Sequence, residues 1–206
     1  NGVHLIGYNE KPYLKSISWE GSPSPADIYA FRTTTGTSKK IAHKIHARPK
    51  MSPLGNYAYW YDPMDSAWFT YSFLKDQINK ITDDSGVDFF NEEHDTPNMP
   101  SAYGLMNWSQ DDKKMLIYDR YDIWEVDPEG ILKSIRITPD GRKNQQKYRY
   151  IKLKKEERFI EKNQTLLLHA FNEVDKTEGI HSLKYSPGAR LNMLSSGPSQ
   201  YRSIQQ

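Results

Sequence analysis

The sequence predicts an all-β chain, a partial β-propeller of about three to four four-stranded antiparallel blades. Three observations carry that expectation. A unit of short strands and turns at Met106–Thr138 occurs again at Met51–Thr82. Short aromatic-rich runs bounded by Gly, Pro, Asp and Ser recur along the chain. Nowhere does an apolar pattern with a helical period persist beyond two turns.

Met106–Thr138 sets the template. Met115–Tyr118 is an apolar run suited to a buried strand. Tyr121–Val126 sets Asp122 and Glu125 against Ile123, Trp124 and Val126. Asp127-Pro128-Glu129-Gly130 reads as a turn, because Pro fixes one backbone angle and Gly tolerates the unusual one. Ile131–Thr138 then alternates through Ile131, Ile135 and Ile137, which predicts a closing strand. In the other copy, Ser52-Pro53-Leu54-Gly55 stands for Ser109-Gln110-Asp111-Asp112, and Ile81-Thr82 for Ile137-Thr138. A further half copy is visible in Asp27–Ala42, where Asp27-Ile28-Tyr29 matches Asp122-Ile123-Trp124. The blades are expected at residues 3–45, 51–104, 105–147 and 148–194, with a tail over 195–206.

The remaining elements follow in order. Val3–Tyr8 and Ile17–Trp19 read as strands, as do Asp27–Phe31 and Lys39–Ile45 around a turn with Gly36 at its tip. The segment 83–100 is too long for a simple link, and loops of that size are usually functional or disordered. Pro139–Gln146 is a polar turn, and Tyr148–Leu153 alternates as a strand. The charged stretch Lys154–Lys162 suits a hairpin tip or a short helix end. Thr165–Phe171 and Ile180–Tyr185 are strands, and Leu191–Leu194 adds a short one.

Composition bounds the function. The chain has 206 residues, a net charge of +2 and no cysteine, which removes disulfides and thiolate metal sites and argues against a nucleic-acid partner. Its 14 Tyr and 5 Trp suit many short strands. No apolar run reaches the roughly 20 residues a membrane helix needs. The start, Asn1-Gly2-Val3, lacks Met and reads as trimmed from a longer protein.

The repeated turn of Trp-Ser-x-Asp-Gly type, the strand after it and the terminal Ile-Thr resemble the propeller repeats of the prolyl oligopeptidase family, and those of TolB-type propellers. Tyr118–Pro128 (YDRYDIWEVDP) and Leu166–Leu183 (LLLHAFNEVDKTEGIHSL) look like large bacterial, dipeptidyl-peptidase-like members of that family, and the resemblance spans Tyr13 to Leu194. It implies a fragment of a serine peptidase: a non-catalytic propeller that restricts access to the active site and helps position peptide substrate. The implied partners are the α/β-hydrolase domain of the parent chain and a peptide. An isolated partial propeller also exposes the faces of its end blades, so a second copy of the chain is expected to cover them. Relatives of this kind are commonly exported, which implies a periplasmic or extracellular location. The alternative is a TolB-like propeller acting as a protein-binding scaffold.

The chemistry fits a chain without catalytic residues of its own. No G-x-S-x-G nucleophile elbow is present, and none of the six His follows a Ser elbow and an Asp in order. No cofactor or metal is expected: Glu92, His94 and Asp95 are too close in sequence to converge on an ion. In dipeptidyl-peptidase relatives a Glu-Glu pair ahead of a Ser-Ala-Tyr holds the amino terminus of the substrate. Glu92-Glu93 precede Ser101-Ala102-Tyr103 in the same order, although the gap is longer and contains Pro97 and Pro100. Glu92 and Glu93 are therefore candidate substrate-binding residues. Arg120 is a third, as a contact for a substrate carboxylate or the catalytic domain, with a blade-to-blade ion pair as the alternative. Asp62, Asp65 and Asp119 would be the carboxylates of a glycosidase, but turn positions account for them. The Trp residues are expected between sheets rather than on a binding platform. The basic cluster Lys152–Lys155 with Arg158 is broken by Glu156-Glu157 and reads as a solvated hairpin.

Overall fold

The computed structural model describes residues 2–16, 19, 23–188 and 190–198. It is an all-β chain of four antiparallel sheets, each built from consecutive strands. The first holds β1 (His4–Asn9), β2 (Ala26–Arg32) and β3 (Thr37–Ile45). The second holds β4 (Lys50–Met51), β5 (Tyr57–Asp62), β6 (Ala67–Ser72) and β7 (Gln77–Lys80). The third holds β8 (Leu105–Trp108), β9 (Met115–Tyr118), β10 (Ile123–Val126) and β11 (Ile135–Arg136). The fourth holds β12 (Gln146–Tyr150), β13 (Thr165–Asn172), β14 (Glu178–Lys184) and β15 (Leu191–Gly197). One four-residue helix, α1 (Gly141–Asn144), joins the last two sheets. Among the described residues no helix is long and apolar enough to cross a membrane.

Strand pleat explains why the sheets stack. Successive side chains point to opposite faces, so a strand inside a stack must be apolar on both. On β9, Met115 and Ile117 enter a core shared with Tyr59, Trp68 and Phe89, while Leu116 enters another with Leu166, Leu168 and Leu183. On β5, Tyr59 faces the third sheet and Ala58 and Trp60 face the first. Each core is thus shared by two successive sheets, the arrangement of propeller blades. Trp60, Trp68, Trp108 and Trp124 are buried in these cores, as the sequence predicts, but Trp19 is exposed.

The repeated residues perform repeated jobs. The Ser52 hydroxyl accepts the Tyr57 N–H at 3.0 Å and the Ser109 hydroxyl accepts the Lys114 N–H at 2.8 Å, closing the turn ahead of the second strand in both blades. The Thr82 hydroxyl accepts the Trp68 N–H at 3.1 Å and the Thr138 hydroxyl accepts the Ile123 N–H at 2.9 Å. In each case the Thr continues the ladder past the point where the outer strand stops.

Several expectations are corrected. Three strands of the first sheet lie among the described residues. Ile17 and Ser18 of the expected Ile17–Trp19 strand lie outside the described residues. Ile131–Thr138 forms only the two-residue β11, and Ile131 and Ile135 are exposed, because side chains stand on the faces of a sheet and those two are left uncovered at its outer rim. Lys154–Lys162 lies in the loop of the β12–β13 hairpin, as one of the two expectations has it, but it is not wholly solvated. Its Ile160 is fully buried, donates its N–H to Trp108 O at 2.7 Å and accepts from Gln110 N at 2.9 Å, which pins a charged loop onto the third sheet.

Candidate functional site

Five separate segments meet where the turns of the third and fourth sheets lie side by side. The link between the second and third sheets folds back as a narrow ribbon: Asn91 N donates to Ser101 O at 2.8 Å, and Tyr103 N to Phe89 O at 2.9 Å. Phe89 is buried edge-on to Trp124, which anchors the ribbon. Its tip carries Glu92 and Glu93, and the Glu92 N–H donates to the Tyr103 hydroxyl at 2.9 Å.

The turn between β9 and β10 supplies Arg120. Asp119 holds that turn by accepting the N–H of Tyr121 at 2.7 Å. Asp122, fully buried, accepts the Thr138 hydroxyl and then the N–H groups of Gly141 at 3.1 Å and Arg142 at 3.2 Å, so it sets the start of α1 and the position of Arg142. Burial raises the Asp122 carboxyl above its ordinary value. β12 supplies Lys147, and the turn after β13 supplies Glu173, whose N–H donates to Gln145 O at 2.9 Å.

These side chains form one charge network. Arg120 Nη2 lies 3.1 Å from Glu93 Oε1 and 3.1 Å from Glu173 Oε2. Lys147 bridges the same two carboxylates, contacting Glu173 closely and Glu93 at 3.4 Å. The Tyr121 hydroxyl donates to Glu173 at 2.6 Å. Arg142 holds Glu92 with both nitrogens, at 2.6 and 3.2 Å, and lies 3.6 Å from the buried Asp119. The Arg120 and Arg142 guanidinium groups both sit 5.2 Å from the Tyr121 ring centre. Arg149 braces the turn from behind, donating to the carbonyls of Asp119 and Arg120, with its guanidinium 4.7 Å from the Tyr118 ring centre.

Burial acts against ionised Glu173, but hydrogen bonds from Lys147, Tyr121 and Arg120 outweigh it and hold the carboxyl at about 2. The Tyr121 hydroxyl is pushed up to about 12 by burial and by its bond to Glu173. The Arg142 guanidinium is held more firmly charged, chiefly by Glu92.

The three residues singled out from the sequence, Glu92, Glu93 and Arg120, therefore stand in one network. Glu92 has both oxygens engaged by Arg142; Glu93 has one oxygen on Arg120 and the other on Lys147, and its side chain is 52% exposed. An incoming cation would meet Glu93 first. Sequence reasoning missed Arg142, Lys147 and Glu173, which sit in or beside stretches read only as polar turn and strand. Their signal was positional: Glu173 follows β13 as Arg120 follows β9, at the same kind of turn in successive blades.

The other candidates have local roles. Asp62 accepts the Met64 N–H at 3.0 Å, as a turn residue does. His94 bonds within its own loop, to Asn98 O at 2.8 Å. Among the described residues no group of three or more His, Asp or Glu is arranged to hold a metal ion.

Sheets stacked in sequence order, with charged turns gathered on one side, define this chain as part of a β-propeller. No protein-family profile matches it, and no curated protein is significantly similar to it in sequence. Among solved structures it is similar to TolB from Agrobacterium tumefaciens, with a TM-score of 0.48 and 12% identity over 95% of this chain and 62% of that one. The chain thus spans less than two thirds of that protein's length.

Proposed function

We propose that this chain is a non-catalytic propeller scaffold that meets a peptide or protein partner at the Glu92–Glu93–Arg120 network. One observation carries the reading. Five chain segments converge to hold a half-exposed carboxylate, Glu93, at the solvent edge of an internally paired cluster, where Arg120 and Lys147 each take one of its oxygens. A cluster serving stability alone gains little from a carboxylate left in water, since exposed ion pairs contribute about 0–1 kcal/mol. A partner ammonium or guanidinium could join Glu93 without displacing Arg142 from Glu92.

The narrower reading is the propeller portion of a prolyl oligopeptidase family peptidase, in which this network would receive the amino terminus of a peptide. The order Glu-Glu then Ser-Ala-Tyr supports it, as does the bond from the Glu92 N–H to the Tyr103 hydroxyl. In that reading the nucleophile comes from an α/β-hydrolase domain of the parent protein, and the protein is exported.

Peptides with free and blocked amino ends, titrated against wild type and Glu93→Gln, test both. Preference for the free amino end, lost in Glu93→Gln, is the expected result. Equal binding of both peptide types would remove the amino-terminus reading, and unaltered partner binding in Glu93→Gln would remove the site.

A further inference from the structure

A second site lies between the third and fourth sheets, and none of Glu92, Glu93, Arg120, Arg142, Lys147 and Glu173 lines it. It is a cleft of about 830 Å³, in the upper part of the range of about 300–1,000 Å³ typical of ligand pockets. Its floor is aliphatic, with Ile137, Ile160 and Leu183, the last two buried. One wall is β11, a two-residue edge strand with no neighbouring strand on its outer side among the described residues.

Basic side chains outnumber acidic ones around that floor. Lys114, Lys162 and Lys184 line the cleft and none forms an ion pair among the described residues. The two lining carboxylates are already engaged: Asp111 lies 3.3 Å from Lys113, and Glu125 accepts the Tyr185 hydroxyl at 2.5 Å. Three lysines therefore face an apolar trough beside an open strand edge.

The geometry points to a binding site for an extended acidic peptide segment, with carboxylates flanking aliphatic side chains. Such a segment adds its backbone to β11, as peptides do at open sheet edges. Its alternate side chains enter the aliphatic floor, and its carboxylates meet the lysines. A single-stranded nucleic acid would want aromatic faces for its bases, and this floor is aliphatic.

The test is fluorescence anisotropy of the full chain with a labelled peptide alternating Glu with Val and Leu, against a counterpart carrying Lys for Glu. Lys162 and Lys184 are both exposed, so the double variant Lys162→Glu/Lys184→Glu is expected to keep its circular dichroism and melting temperature. The acidic peptide should bind saturably, weaken with salt, and weaken about ten-fold in the double variant. Lys50→Glu, an exposed site on the second sheet, should leave binding unchanged. Equal binding of the Lys peptide, or undiminished binding to the double variant, would overturn the proposal. So would saturable binding of decanoate at this cleft with none of the peptide, which would mark a site for small anionic amphiphiles.

Discussion

The Ser52 hydroxyl donates to Asp112 Oδ2 at 2.6 Å, latching the second blade to the third. Both residues are buried, and Asp112 also accepts the N–H groups of Leu54 at 3.2 Å and Asn56 at 3.3 Å. One carboxylate thus satisfies a hydroxyl and two backbone donors of the neighbouring turn. Asp112→Ala leaves those donors without a partner and should lower unfolding free energy by about 2–4 kcal/mol. Asp112→Asn keeps the shape and tolerates the left-handed backbone there (φ 54°), so it should cost about half as much. Urea unfolding of the three proteins measures the order, and equal midpoints would refute the latch.

Gly141 presents a steric prediction. A Cβ there would collide with the Asp122 carboxylate and come within 2.8 Å of Gln146 O. Gly141→Ala should therefore destabilise by about 1–3 kcal/mol and displace α1, carrying Arg142 away from Glu92. A thermal melt reads the first effect. A double-mutant cycle on Glu92 and Arg142, run in the Gly141→Ala variant, reads the second, with the coupling of about 0.5–1 kcal/mol expected in wild type lost.

Glu173 predicts a pH dependence. Its carboxyl is held at about 2 in the folded chain against an ordinary value of 4.5. A depressed folded value means that the unfolded chain binds the proton first, so the stabilisation is complete above about 4.5 and is lost as pH falls towards 2. Glu173→Gln should be less stable at pH 7 and flatter across that window. Parallel stability curves for the two proteins below pH 4.5 would contradict the assignment.

The end sheets predict self-association. Leu5 and Phe31 sit opposite each other on the outer side of the first sheet and are 55% and 38% exposed. Leu167, His169 and Phe171 share the outer side of the fourth, where they are half-buried. Sedimentation should show concentration-dependent association that Phe31→Lys weakens. A monomer at all concentrations would show that these faces need no cover.

The blade pattern was legible because it is local. Ser52 and Ser109, and Thr82 and Thr138, each close hydrogen bonds within their own sheet, so similar sequence produces similar geometry at both places. Met115–Tyr118 was legible for a related reason, since a run apolar at every position fits a strand covered on both faces. Ile131–Thr138 misled because alternation describes which way side chains point, not whether anything covers them. Ile160 was hidden because one apolar residue in a charged loop has no period to announce it.

From residue order alone came the all-β character, the repeated unit, the absence of a nucleophile elbow and the interest of Glu92, Glu93 and Arg120. Those rest on short-range preferences of backbone and side chain, which a linear pattern records. The stacking of sheets decided the rest. It set Arg142 against Glu92, put Lys147 and Glu173 beside Arg120, and opened a lysine-rimmed cleft next to β11. Those partners are some fifty residues apart in several cases, and electrostatic attraction depends on distance in space, which sequence spacing does not contain.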